Sequence, residues 1–111
     1  MNAARPVRRG EIWLAALDPT LGSEIQKTRP CVVVSPPEMN EHLRTVVVAP
    51  MTTGSRPAPF RIPVTLQRKS GLILLDQLRT LDRQRLVKKL GVAKPETLAA
   101  VLGGLQAMFA P

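Results

Sequence analysis

At 111 residues and 12.1 kDa the chain has room for one domain with a core, and not for two. Sixteen Lys and Arg against eight Asp and Glu give a formal charge of +8 and a pI near 11.1, a balance that points to a polyanion or an acidic protein partner. A single cysteine excludes an intramolecular disulfide framework, and no apolar run reaches transmembrane length, so a cytoplasmic protein is expected. With 44% apolar but only 3% aromatic residues, the core has to be drawn from Val, Leu and Ile, which favours short strands and one packed helix.

One domain over 1–111 is predicted, with a short basic N-terminal arm at 1–8 and a turn at Gly10. Glu11 to Leu17 reads as a first strand whose imperfect alternation implies burial on both faces. Asp18-Pro19-Thr20 and Gly22 break it. The polar loop that follows carries Ser23, Glu24, Lys27, Thr28 and Arg29, and passes through Pro30 into the β-branched run Cys31 to Val34. That run predicts a buried second strand, closed by Ser35 and Pro36. Pro30 keeps Arg29 out of the α region, so a cationic fork is expected at the mouth of a strand, where it can be positioned accurately.

Glu38 to Arg44, including His42, predicts a polar connection with a short helical turn. Thr45 to Ala49 predicts a third strand running into Pro50-Met51-Thr52-Thr53-Gly54. Thr52 and Thr53 are either turn formers or phosphate donors beside Arg29, the latter requiring that strands two and three be neighbours. Arg56 lies in a stiff Pro-rich loop, Phe60 to Val64 predicts a strand that Pro63 makes an edge strand or a bulge, and Gly71 to Leu75 predicts a fifth strand. Asp76 and Gln77 interrupt the apolar run after it, and Arg79 follows. Polar groups there either order a neighbouring loop or read a ligand edge.

Asp82 to Lys89 is ambiguous: Arg85 to Val92 reads as a short basic strand, with one helical turn in the segment before it as the companion reading. From Pro95 the period changes: Leu98, Val101, Leu102, Leu105, Met108 and Phe109 recur at helical spacing and predict a terminal helix packed on the sheet. Pro95 suits the first helical position and Glu96 its positive end, while Gly103-Gly104 marks close packing or a kink.

The chain lacks zinc-spaced Cys/His residues, a Gly-rich nucleotide loop and a G-x-S-x-G elbow. No metal or other cofactor is expected. A nuclease made from these residues must use the substrate's own 2′-hydroxyl as nucleophile, which restricts it to RNA. Arginine, with a pKa above about 12, serves better as a charge stabiliser than as an acid.

Arg9-Gly10-Glu11-Ile12-Trp13, Asp18-Pro19-Thr20, Gly22-Ser23-Glu24, Arg29-Pro30, Pro50-Met51-Thr52-Thr53 and Asp76-Gln77 occur in an order and spacing that strongly resembles the MazF/PemK family of toxin endoribonucleases, or mRNA interferases, of bacterial toxin–antitoxin systems. The resemblance covers almost the whole chain. It implies a mainly β fold with a C-terminal helix, a small SH3-like β-barrel of the MazF/PemK/CcdB type, assembled as a homodimer. It also implies metal-independent, sequence-specific cleavage of single-stranded RNA to 2′,3′-cyclic phosphate and 5′-hydroxyl ends. Arg29 and Thr52 then form the catalytic pair with Glu24 in support, and Ser23, Lys27, Thr28, Thr53, Arg56, Gln77 and Arg79 contact RNA. The implied protein partner is an acidic MazE-like antitoxin.

Two departures leave the general base unassigned. Thr28 stands where some members of the family carry a histidine before the arginine, and Asp76 with Arg79 does not reproduce the late acid and arginine of others. A noncatalytic RNA-binding module and a CcdB-like gyrase-poisoning toxin are the alternatives. The first needs only the charge and a barrel; the second would place its contacts at the last helix.

Overall fold

Strand β2 (Thr28–Val33) lies at the middle of one curled antiparallel sheet, and its apolar run is buried from both sides. Cys31 and Val33 point into one core, with Trp13, Ala15, Leu17, Val46, Val48, Leu81 and Leu86. Val32, together with Val34 just beyond the strand, points into a second core with Ile12, Ala49, Met51, Ile73, Leu75 and Val101. The two-residue period of a strand divides the run in this way, which is why the sequence shows an unbroken apolar stretch instead of an alternation. Burial raises the Cys31 thiol pKa to about 12, against a smaller opposite pull from Arg79, so it behaves as a small hydrophobe at neutral pH.

The computed structural model describes residues 5–111. In chain order the other elements are β1 (Glu11–Ala16), the short helix α1 (Pro37–Asn40), β3 (Thr45–Thr52), β4 (Arg61–Leu66), β5 (Lys69–Leu74), β6 (Arg79–Asp82), β7 (Leu86–Val92) and α2 (Pro95–Phe109). The sheet order is β4-β5-β3-β2-β1-β7, and β6 also pairs with β3. This is the expected mainly β fold with a C-terminal helix, curled into a half-barrel.

β3 organises the curl. It pairs with β2 along one side, while the other side takes β6 over Thr45–Val48 and β5 over Met51–Thr52. Pro50 falls in the gap between those two ladders, which is how a strand without an amide donor at that position continues to Thr52. The third strand is therefore longer than the expected Thr45–Ala49. β4 is an edge strand, as Pro63 requires. The 82–92 stretch resolves into a 3-10 turn at Arg83–Arg85 followed by β7.

Among the described residues every buried side-chain nitrogen and oxygen has a hydrogen-bond partner. Glu11 accepts from the Arg8 amide at 2.9 Å and the Trp13 indole at 3.0 Å, and meets Lys89 Nζ at 3.0 Å. Burial alone would raise its pKa, but these donors outweigh that and hold it below the ordinary value. Ser35 donates to Asn40 Oδ1 at 2.6 Å and accepts from the Val47 amide at 3.0 Å, fastening α1 to β3.

The basic arm expected at 1–8 is not free where it is described. Residues 1–4 of that arm lie outside the described residues; Arg5 donates to the Leu86 carbonyl at 2.8 Å and stacks over Trp13, and Val7 is buried in the first core. In α2, Val101 is fully buried and Leu98, Leu102 and Leu105 pack on the second core. Met108 and Phe109 are more open, 41% and 71% exposed. The two helical glycines also differ. A Cβ on Gly104 would stand 2.5 Å from Leu75 Cδ1, whereas one on Gly103 would meet open space.

Candidate active site

The β2–β3 ladder pairs Val33 with Val48, Val32 with Ala49 and Cys31 with Pro50. The ladder ends at Cys31 and Pro50; Arg29 stands two residues before Cys31 on β2 and Thr52 two residues after Pro50 on β3, so both lie beyond the same end of it. Arg29 pairs with Ala15 of β1, and Thr52 with Leu72 of β5. Arg29 Nε donates to the Gln26 carbonyl at 3.2 Å. That bond steers the guanidinium and leaves its two terminal nitrogens for a ligand, since among the described residues they have no protein partner. The Thr52 hydroxyl accepts from the Gly54 amide at 3.3 Å and retains its own proton for donation. Gly71 on β5 supports this end of β3: a Cβ there would lie 2.7 Å from the Thr52 carbonyl oxygen.

The loop between β1 and β2 is ordered by its own polar residues. Asp18 Oδ1 accepts from the Lys27 amide at 3.0 Å and from Thr20 Oγ1 at 3.2 Å, and the Leu17 amide donates to the Lys27 carbonyl at 2.9 Å. Lys27 sits at φ +70, a conformation these bonds hold in place. Arg85 donates to the carbonyls of Ala16 and Asp18 at 3.0 and 2.7 Å. Glu24 Oε1 takes the Leu21 amide at 3.0 Å.

The loop is closed onto the segment after β5 by Gln77. Its Oε1 accepts from the Ile25 amide at 2.9 Å and its Nε2 donates to the Ser23 carbonyl at 3.1 Å. Of the two roles open to Gln77 in the sequence, ordering the loop is the one these contacts display. Glu24, Asp76, Gln77, Leu78 and Arg79 line a cleft of about 350 Å³ beside it. Arg79 faces the floor of the loop, with Nη1 3.4 Å from the Leu17 carbonyl.

The expected residues thus fall into two linked groups. Arg29 and Thr52 lie beyond the same end of the β2–β3 ladder, and Glu24, Gln77 and Arg79 line the cleft, with Ser23 tied to Gln77 through its carbonyl. Lys27, Thr28 and Thr53 are exposed on the rims, and Arg56 lies on the next loop, where its carbonyl accepts from Arg61. Arg61 is a residue the sequence reading missed: it, and not Arg79, is the arginine that Asp76 meets, through an ion pair of 3.1 Å. The signal was the β4–β5 hairpin, whose register puts Arg61 opposite Leu74, two positions before Asp76. Hydrogen bonding to Asp76 raises the Arg61 pKa above its ordinary value. Among the described residues there is no group of three or more His, Cys, Asp or Glu side chains placed to hold a metal ion.

The curled antiparallel half-barrel with a C-terminal helix is an architecture the chain shares with a MazF toxin. The family described as PemK-like, MazF-like toxin of type II toxin-antitoxin system matches residues 8–109, and the chain belongs to it. It is 40% identical over 109 residues to Endoribonuclease PemK of Escherichia coli, covering 93% of this chain and 82% of that protein. Among solved structures, MazF from Deinococcus radiodurans superposes with a TM-score of 0.83 at 28% identity, over 94% of this chain and 96% of that one. A MazE-MazF complex from the same organism gives 0.78 at 25% identity, over 96% and 97%.

Proposed function

We propose that the protein is the toxin of a toxin–antitoxin pair and acts as a metal-independent endoribonuclease on single-stranded RNA. Membership of the family and the similarity to an Endoribonuclease PemK support the activity. The observation that supports the chemistry is that Arg29 and Thr52, a cationic fork and a hydroxyl donor, both lie two residues beyond the Cys31–Pro50 end of the β2–β3 ladder. In the reaction the ribose 2′-oxygen attacks the adjacent phosphorus and gives up its proton. The bond from phosphorus to the 5′-oxygen breaks, and the departing oxygen takes a proton, leaving a 2′,3′-cyclic phosphate and a 5′-hydroxyl. Arg29 stabilises the charge that builds on the non-bridging oxygens, and Thr52 donates to one of them. Glu24, at the cleft, is the supporting carboxylate, and Ser23, Lys27, Thr28, Thr53, Arg56 and Arg79 line the path of the strand.

The charge of +8 also suits an acidic antitoxin, and the MazE-MazF complex among the similar structures supports such a partner. A homodimer acting in the cytoplasm completes the reading; no helix among the described residues is long and apolar enough to cross a membrane. The test begins by mapping a cleavage site on a long RNA in EDTA. An oligonucleotide spanning that site is then made with ribose or with 2′-deoxyribose at the attacking nucleotide. Cleavage of the first alone is expected. Equal cleavage of both contradicts the mechanism, and binding without cleavage of either turns the protein into an RNA-binding module.

A further inference from the structure

Arg61 stands on the edge strand β4, outside the residues expected to touch RNA, yet all three of its guanidinium nitrogens are engaged. Nε and Nη2 donate to the two carboxylate oxygens of Asp76 at 3.3 and 3.1 Å, and Nη1 donates to the Arg56 carbonyl at 3.1 Å. The two side chains keep only 23% and 31% of their exposure, and the Leu75 amide donates to the Phe60 carbonyl at 3.1 Å alongside them. A planar fork meeting a carboxylate through two parallel bonds fixes orientation as well as distance, which a lysine cannot do.

Each end of this contact leads to one half of the site. Asp76 belongs to a three-residue 3-10 turn, Leu75–Gln77, and the residue after it is the one that holds Ile25 and Ser23. From there the chain runs through Lys27 to Arg29. Arg56 belongs to the loop that begins directly after Thr52. We infer that Arg61 is a positioning residue that couples the loop before Arg29 to the loop after Thr52, through Asp76 and Gln77 on one side and the Arg56 carbonyl on the other. Its catalytic meaning rests on the endoribonuclease reading, whereas its mechanical meaning does not. A partly exposed ion pair adds little to global stability, so its effect is on the alignment of the two strand ends.

The variants are Arg61→Ala, Arg61→Lys, Asp76→Asn and the Arg61→Ala, Asp76→Asn double, with denaturation curves to verify folding. Two quantities are read in each: exchange of the Ile25 amide with deuterium, and RNA cleavage over a range of RNA concentrations up to saturation, which separates the saturated rate from KM. Exchange at Ile25 is expected to rise about tenfold, and the rate at saturation to fall about tenfold, in both single alanine and asparagine variants. The lysine variant should restore little, and the double should be no worse than either single. Unchanged Ile25 exchange in both Arg61→Ala and Asp76→Asn overturns the inference, as does a loss confined to KM with additive effects, which marks a simple phosphate contact. If one variant fails to fold, the other decides. If the wild type cleaves no RNA, Ile25 exchange still decides the coupling while the enzymatic reading alone fails.

Discussion

Gln77 Oε1 accepts the Ile25 amide at 2.9 Å across a sequence separation of 52 residues, the contact that fastens the loop before Arg29 to the far side of the sheet. A second bond, from Gln77 Nε2 to the Ser23 carbonyl, makes the amide a two-point clamp. Gln77→Leu keeps the bulk and removes both bonds. Losing them should release about 1–3 kcal/mol of loop ordering, seen as a lower rate of cleavage at saturating RNA, with the urea midpoint almost unchanged because the opening is local. A variant that weakens RNA binding at an unaltered saturated rate would instead make Gln77 a base or phosphate contact.

Glu11 sets the acid limb of stability. Burial opposes its ionisation, but the Arg8 amide, the Trp13 indole and Lys89 together hold its folded pKa below the ordinary 4.5. A carboxylate depressed on folding stabilises the native state above its unfolded pKa, and the contribution disappears as pH falls through the lower, folded value. Glu11→Gln should therefore cost about 1–3 kcal/mol near neutral pH. The gap to the wild type should narrow only below the ordinary carboxylate value. Urea denaturation at a series of pH values checks both the size and the direction; a gap independent of pH down to strong acid would assign Glu11 a purely steric part.

The paired glycines of α2 give opposite expectations from adjacent positions. Gly103→Ala adds a methyl to open space and should stabilise the helix by about 1 kcal/mol. Gly104→Ala drives a methyl against Leu75, which is fully buried, and should cost about 1–3 kcal/mol of overpacking. Thermal denaturation of the two variants should move in opposite directions, and equal gains would show that Leu75 has room to yield.

Much of this fold was legible because its strongest signals are local. The run from Cys31 to Val34 with its flanking prolines, the edge-strand Pro63, and the helical spacing after Pro95 all correspond to observed elements. β6 was not legible: Arg79–Asp82 has four residues and one apolar side chain, and is a strand only because β3 offers it an edge. β3 itself ran further than Ala49, since Pro50 reads as a stop in sequence but falls in the gap between two ladders. At the site, Arg29 and Thr52 were visible in the motifs that resemble the toxin family. The Arg61–Asp76 pair was not, because two residues fifteen positions apart meet only through the register of a hairpin. The helical spacing was right through Phe109, the last residue of α2, although Met108 and Phe109 are exposed on the single chain.

Arg29 is the principal charge stabiliser of the proposed reaction. Single-turnover cleavage of RNA by purified Arg29→Ala protein, in EDTA and beside wild type and Thr52→Ala, tests it directly. The predicted result is a folded protein whose rate falls at least about a hundredfold, as when a principal charge stabiliser is removed, with a smaller loss of about tenfold for Thr52→Ala. Wild-type cleavage by the folded Arg29→Ala protein would contradict the assignment.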